Sequence, residues 1–139
     1  MDDGLSFLPI PKEQLEQLHA LRERAYVPYS NFRVAALIQS SSGRWYGGCN
    51  VETAHYKSVC AEASAISAMI SAGEREIHSV HILGPDGTAT APCGDCRQRL
   101  KEFGDDQTRV HLLSNEGVTL KQYSLADLLP DAFGPNDLS

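Results

Sequence analysis

The chain has 139 residues and a formal net charge of −6, with 12 Lys and Arg against 18 Asp and Glu. Its 42% apolar and 22% charged residues suit one domain spanning 1–139 with a core of its own. The acidic balance excludes a chain that tracks nucleic-acid phosphates, no apolar run approaches the roughly 20 residues of a membrane span, and the acidic start Met1-Asp2-Asp3-Gly4 lacks a secretion-signal layout, so a cytoplasmic protein acting on a small molecule is expected.

Residues 1–10 read as a loose lead-in carrying Pro9. From Lys12 to Tyr26, Leu15, Leu18 and Leu21 or Ala25 recur at helical spacing, and Pro28 is expected to stop that helix. Phe32 to Gln39 and Arg44 to Val51 read as strands joined by a turn at 40–43. Cys60 to Ala72 is helical, with Gly73 as its stop. Ser79 to Leu83 is a strand, followed by the turn Gly84-Pro85-Asp86-Gly87. Cys93 to Phe103 is helical. Val110 to Ser114 and Val118 to Tyr123 are strands about the turn Asn115-Glu116-Gly117. Ser124-Leu125-Ala126-Asp127 is a helix cap, and Pro130 ends the helix at Leu129. Helices interleaved with strands imply a layered α/β fold.

Four cysteines stand at 49, 60, 93 and 96. With no sign of secretion, metal binding is favoured over disulfides. Catalytic zinc takes three protein ligands and keeps one position for water. Cys93-x-x-Cys96 at a helix start offers two sulfurs, and Cys60, also at a helix start, offers the third. Helix N-termini favour thiolates. Glu62 shares a helical face with the apolar Ala65, Ile66, Met69 and Ile70, which must pack inward. A carboxylate there costs free energy without a partner, and zinc-bound water is such a partner. Alone, Glu62 reads as a first-turn surface residue, and a lone Cys-x-x-Cys as structural or redox. Cys49 reads as a small core residue, and the histidines at 19, 55, 78, 81 and 111 as surface or strand residues without ligand spacing. The combination of Cys-x-Glu with Pro-Cys-x-x-Cys starting 30 positions after the Glu is the pattern of zinc nucleobase deaminases.

Five motifs in order extend this along nearly the whole chain: Tyr26-Val27-Pro28-Tyr29-Ser30-Asn31-Phe32, Gly48-Cys49-Asn50-Val51-Glu52, Cys60-Ala61-Glu62, Pro92-Cys93-Gly94-Asp95-Cys96-Arg97-Gln98 and Leu128-Leu129-Pro130-Asp131-Ala132-Phe133. With these the chain resembles the small homotetrameric zinc-dependent cytidine deaminases. The resemblance implies a three-layer α/β/α fold with a mixed five-stranded sheet and one Zn²⁺ per subunit held by Cys60, Cys93 and Cys96. It implies hydrolytic deamination of cytidine or deoxycytidine by a zinc-bound hydroxide, with Glu62 moving the protons, as in pyrimidine salvage. Phe32 would pack on the cytosine, and Asn50 and Glu52 would hold the ribose. Ala54, Tyr56 and Phe133 would come from a neighbouring subunit, and Arg97 would donate to a zinc-bound sulfur. On their own residue types, Phe32 reads as a strand-start core residue and Asn50 and Glu52 as turn residues.

Three departures bear on substrate. Ala63 stands where the family has Arg, Thr53 stands where it commonly has Asn, and the stretch from Tyr56 to Cys60 is one residue short. The rival readings are a deaminase of a modified cytosine nucleoside such as blasticidin S, a polynucleotide-editing deaminase, which the short acidic chain opposes, and a zinc-stabilised binding module without catalysis. Sites of the last kind are usually closed by four ligands; Cys49 closes this one only if it reaches the metal, and Asn50 argues that its strand end serves something else.

Overall fold

The computed structural model describes residues 9–138. The element order is α1 (Lys12–Arg24), β1 (Ala35–Ser40), β2 (Trp45–Cys49), α2 (Ala61–Ser71), β3 (Ile77–Leu83), α3 (Gly94–Phe103), β4 (Arg109–Leu113), β5 (Thr119–Ser124) and α4 (Leu125–Leu128). The five strands form one sheet in the order β2-β1-β3-β4-β5, with β3 and β4 parallel and the other neighbours antiparallel. No helix among the described residues is long and apolar enough to cross a membrane.

Strand β1 reads Ala-Ala-Leu-Ile, buried residue after residue. A strand covered on both faces needs no polar alternation, and this one separates two cores. Ala35 and Leu37 pack with Ile10, Leu18, Leu83 and Leu113 under α1. Ala36 and Ile38 pack with Val80, Ile82, Val110 and Leu112 against Ala65, Met69 and Leu100 of α2 and α3. The result is the expected three-layer α/β/α arrangement with a mixed sheet.

Several boundaries differ from the sequence expectation, each for a side-chain reason. Helix α1 ends at Arg24, short of Pro28, because the Arg33 guanidinium takes the carbonyls of Glu23 at 2.9 Å and Ala25 at 2.6 Å. Strand β1 begins at Ala35 and not at Phe32, because the Asn50 side chain occupies the hydrogen-bonding positions ahead of it. Asn50 Oδ1 accepts from Val34 N at 2.9 Å, and Asn50 Nδ2 donates to the Phe32 carbonyl at 2.7 Å. The lead-in over residues 1–8 lies outside the described residues. Its end is not loose, since Ile10 is buried and its N–H donates to Gly117 O at 3.0 Å.

The helix ends follow the sequence closely. Gly73, at φ +93°, closes α2, and Glu74 N donates back to Met69 O at 3.2 Å. At α4, Ser124 and Asp127 form a reciprocal capping box.

Two histidines expected on the surface or in strands are packed on the sheet. His81 and His111 are register partners on β3 and β4, with rings stacked at 4.6 Å and 2°. Trp45 lies 5.1 Å from His81 on the other side. Burial lowers His81 to about 3 and His111 to about 4, with neighbouring positive charge adding to both.

Candidate active site

Cysteine stands at both helix starts that meet at the site: Cys60 is the N-cap of α2 and Cys93 the N-cap of α3. Neither makes a side-chain capping hydrogen bond. An N-cap is usually Ser, Thr, Asp or Asn, whose oxygen satisfies a first-turn N–H. Here sulfur takes that place, and the helix partial charges face a cluster of thiols. Cys96, in the first turn of α3, is buried beneath them.

The sulfurs of Cys60, Cys93 and Cys96 all lie within 4.8 Å of one another, and Cys60 and Cys93 are 3.8 Å apart. Ligands at about 2.3 Å from a tetrahedral zinc stand about 3.8 Å apart. Hydrogen bonding from Cys96 lowers Cys60 to about 6 against the opposing effect of burial, and the same bond, with burial, raises Cys96. Soft donors at this spacing, with one held toward its thiolate form, fit a zinc ion. Cys49 is not in the cluster: it ends β2, half-buried, so it neither sits in the core as expected nor closes a fourth position.

Glu62 lies in the first turn of α2 on the face it shares with Ala65, Ile66 and Met69. It is 5% exposed. Burial first, and the nearby Cys60 second, push its carboxyl up to about 7. A carboxyl near neutrality is poised to take and return a proton.

A cavity of about 170 Å³ opens on this group. Phe32, Asn50, Cys60, Glu62 and Cys93 line it, so expected binding and chemical residues share one pocket. Thr90 and Ala91 line it as well. Sequence reasoning missed both, because neither side chain carries chemistry and only the loop entering α3 brings them there.

The other expected residues are spread more widely. Glu52 accepts hydrogen bonds from Tyr29 N at 3.0 Å, Ser30 N at 3.1 Å and the Ser30 hydroxyl, which lower its pKa. Beside it the Thr53 hydroxyl is buried without a partner. Ala54 and Tyr56 project from the same segment, Tyr56 80% exposed and touching only Tyr29 edge-on at 6.0 Å among rings. Phe133 is 59% exposed and lies outside the cavity of its own chain. The Arg97 guanidinium donates to the carbonyls of Pro92 at 2.8 Å and Leu128 at 3.0 Å, and so ties the cysteine loop to α4. Arg99, one turn beyond Cys96, pairs with Asp95 at 3.0 Å, and its positive charge helps lower Cys60. It borders, with Ala63, a depression between α2 and α3.

Three sulfurs at two helix starts, with a buried glutamate against them on a mixed five-stranded sheet, define a zinc-dependent hydrolytic deaminase. Residues 10–112 match the family described as the cytidine and deoxycytidylate deaminase zinc-binding region. The chain is 36% identical over 121 residues to a cytidine deaminase of Mycoplasma genitalium, covering 86% of this chain and 92% of that one. It is 41% identical over 115 residues to one from Mycobacterium tuberculosis, covering 82% of each. The crystal structure of a cytidine deaminase from Burkholderia pseudomallei superimposes with a TM-score of 0.79 at 39% identity, covering 89% of this chain and all of that one. The chain belongs to the cytidine deaminase family.

Proposed function

We propose that this chain deaminates cytidine and deoxycytidine to the corresponding uracil nucleosides, releasing ammonia, in cytoplasmic pyrimidine salvage. The observation that carries this reading is the buried carboxyl of Glu62, which shares one cavity with two of the three clustered sulfurs and with Phe32 and Asn50. The whole chain acts as one catalytic unit.

Cys60, Cys93 and Cys96 are the residues that hold zinc. Zinc, when bound, supplies a Lewis acid that lowers the pKa of a water molecule toward about 7. Glu62 takes a proton from the water and delivers it to ring N3 while the water oxygen bonds to C4. Glu62 next takes the remaining hydroxyl proton and gives it to the exocyclic amine. The C4–N bond breaks, ammonia leaves, and the oxygen stays as the C4 carbonyl. One carboxyl serves as base and then acid, which suits a pKa close to neutrality.

Phe32 packs on the base. Asn50 and Glu52 hold the ribose, the first from the cavity wall and the second beside it. Tyr56 and Phe133 are large, exposed and outside their own cavity, which supports a homotetramer in which Ala54, Tyr56 and Phe133 complete a neighbour's site. Arg97 acts by holding the loop that carries Cys93.

The test is ammonia release from cytidine, deoxycytidine, free cytosine and blasticidin S, with wild type and Glu62→Ala. Wild type is expected to turn over the first two, and Glu62→Ala to lose about 10²–10⁴-fold while keeping its zinc. Turnover retained in that variant overturns the role of Glu62. Turnover of blasticidin S alone overturns the substrate.

A further inference from the structure

Strand β2 carries two consecutive glycines, and the second lies under the site. The backbone of Gly48 is not in the left-handed region, so conformation does not call for glycine there. Space does. A Cβ on Gly48 would stand 2.5 Å from Ala65 N, 2.5 Å from Ser64 Cβ and 2.8 Å from Ala61 O. All three are backbone or Cβ atoms of the first turns of α2, and none has a flexible tail that swings aside. Ordinary carbon contacts begin near 3.5 Å, so an added methyl displaces α2 by roughly 1 Å.

Gly47 is the matched comparison. It points to the opposite face of the sheet, and a Cβ there would meet Leu21 Cδ1 at 2.5 Å, Leu37 Cδ2 at 3.0 Å and Gln17 Nε2 at 3.2 Å. These are ends of flexible side chains under α1.

We propose that Gly48 is a positioning residue for the reaction: its missing side chain lets α2 lie on β2 at the one separation that brings Cys60 and Glu62 to the pocket wall carrying Asn50. The inference rests on the roles given above to Cys60 and Glu62. Asn50 stands two residues past Gly48 on the same chain run and is tied to Phe32 and Val34, so it stays when α2 is pushed away. Cys60 and Glu62 ride on the helix that moves, whereas Cys93 and Cys96 sit on α3. The two halves of the site therefore part, with binding residues left in place.

The test compares Gly48→Ala with Gly47→Ala in the zinc-loaded enzyme, reading kcat and KM for cytidine and the rate at which a chelator strips the metal. For Gly48→Ala, kcat is expected to fall about 10²-fold, the effect of an ångström's misplacement. KM should stay within about threefold and zinc leave about tenfold faster, since Cys60 no longer meets the α3 sulfurs squarely. Gly47→Ala should keep kcat and zinc within about twofold while its thermal midpoint falls. The double variant Gly48→Ala/Ser64→Gly removes one of the three close contacts and should regain at least tenfold in kcat. Wild-type kcat and zinc retention in Gly48→Ala overturn the proposal, as does an equal loss in Gly47→Ala. Insolubility of Gly48→Ala and of the double variant alike also overturns it, since the contact then serves the fold. A wild-type chain that binds no zinc or releases no ammonia instead overturns the site reading itself.

Discussion

Replacing Glu62 with Gln should stabilise the zinc-free fold at alkaline pH while abolishing turnover. The native carboxyl titrates at about 7, against 4.5 for the exposed group. Between those values the native chain keeps a proton that the unfolded chain has released. Stability therefore falls as pH rises through this window, and the loss is complete above pH 7. At about 1.4 kcal/mol for each unit of displacement, the buried charge costs about 3 kcal/mol at pH 8 and nothing at pH 4. Glutamine has nearly the same volume and is neutral throughout, so the variant escapes this cost. In a chain of this length the gain corresponds to roughly 10 °C in Tm. The assay is urea unfolding of chelator-treated wild type and Glu62→Gln from pH 4 to 8. Contributions from His81 and His111 are common to both proteins and largely cancel in the difference. A difference that stays constant with pH, or a Gln variant weaker than wild type at pH 8, refutes the reasoning that burial raises this carboxyl.

The stacked histidines act with the opposite sign. Their native pKa values are depressed below the usual 6.5, so the unfolded chain binds more protons as pH drops from 6.5 toward 3 and stability is lost. His81→Phe should flatten the fall in unfolding free energy, read from urea titrations between pH 6.5 and 4, by up to about 1.4 kcal/mol per pH unit, and a wild-type slope in that variant counts against it. If Phe133 completes a neighbour's site, refolding inactive Glu62→Ala with crippled Phe133→Ala should produce hybrids more active than either parent, whereas strict addition of the parents contradicts a shared site. Arg97→Lys keeps the charge and loses the fork that spans Pro92 and Leu128. It should speed zinc loss with little change in KM, and an unchanged zinc off-rate argues against a loop-holding role.

Much of the site was legible because its residues break local rules. Glu62 on an otherwise apolar stripe and cysteines at two N-cap positions are choices that helix propensity alone does not favour. The helix ends at Gly73 and Ser124 were legible from the chemistry of their caps. What stayed hidden depends on partners distant in sequence. Arg33 ends α1 from nine residues beyond its last residue, Arg24, and the Asn50 amide replaces ladder bonds before β1. His81 and His111 stack because two strands 30 residues apart pair in parallel, which no local pattern announces. Arg97 reaches two carbonyls on segments distant in sequence, a tie between the cysteine loop and α4 that no local pattern announces. The strand order β2-β1-β3-β4-β5 likewise follows from packing on both faces of β1, not from any motif.

The most direct test is to follow zinc content and ammonia release from cytidine together while a chelator removes the metal and added zinc restores it. Turnover should fall in proportion to zinc lost and return in full at one zinc per chain, with Cys60→Ala, Cys93→Ala and Cys96→Ala each failing to recover. Full turnover in zinc-free protein, or full recovery in any one of those variants, contradicts the three-sulfur centre.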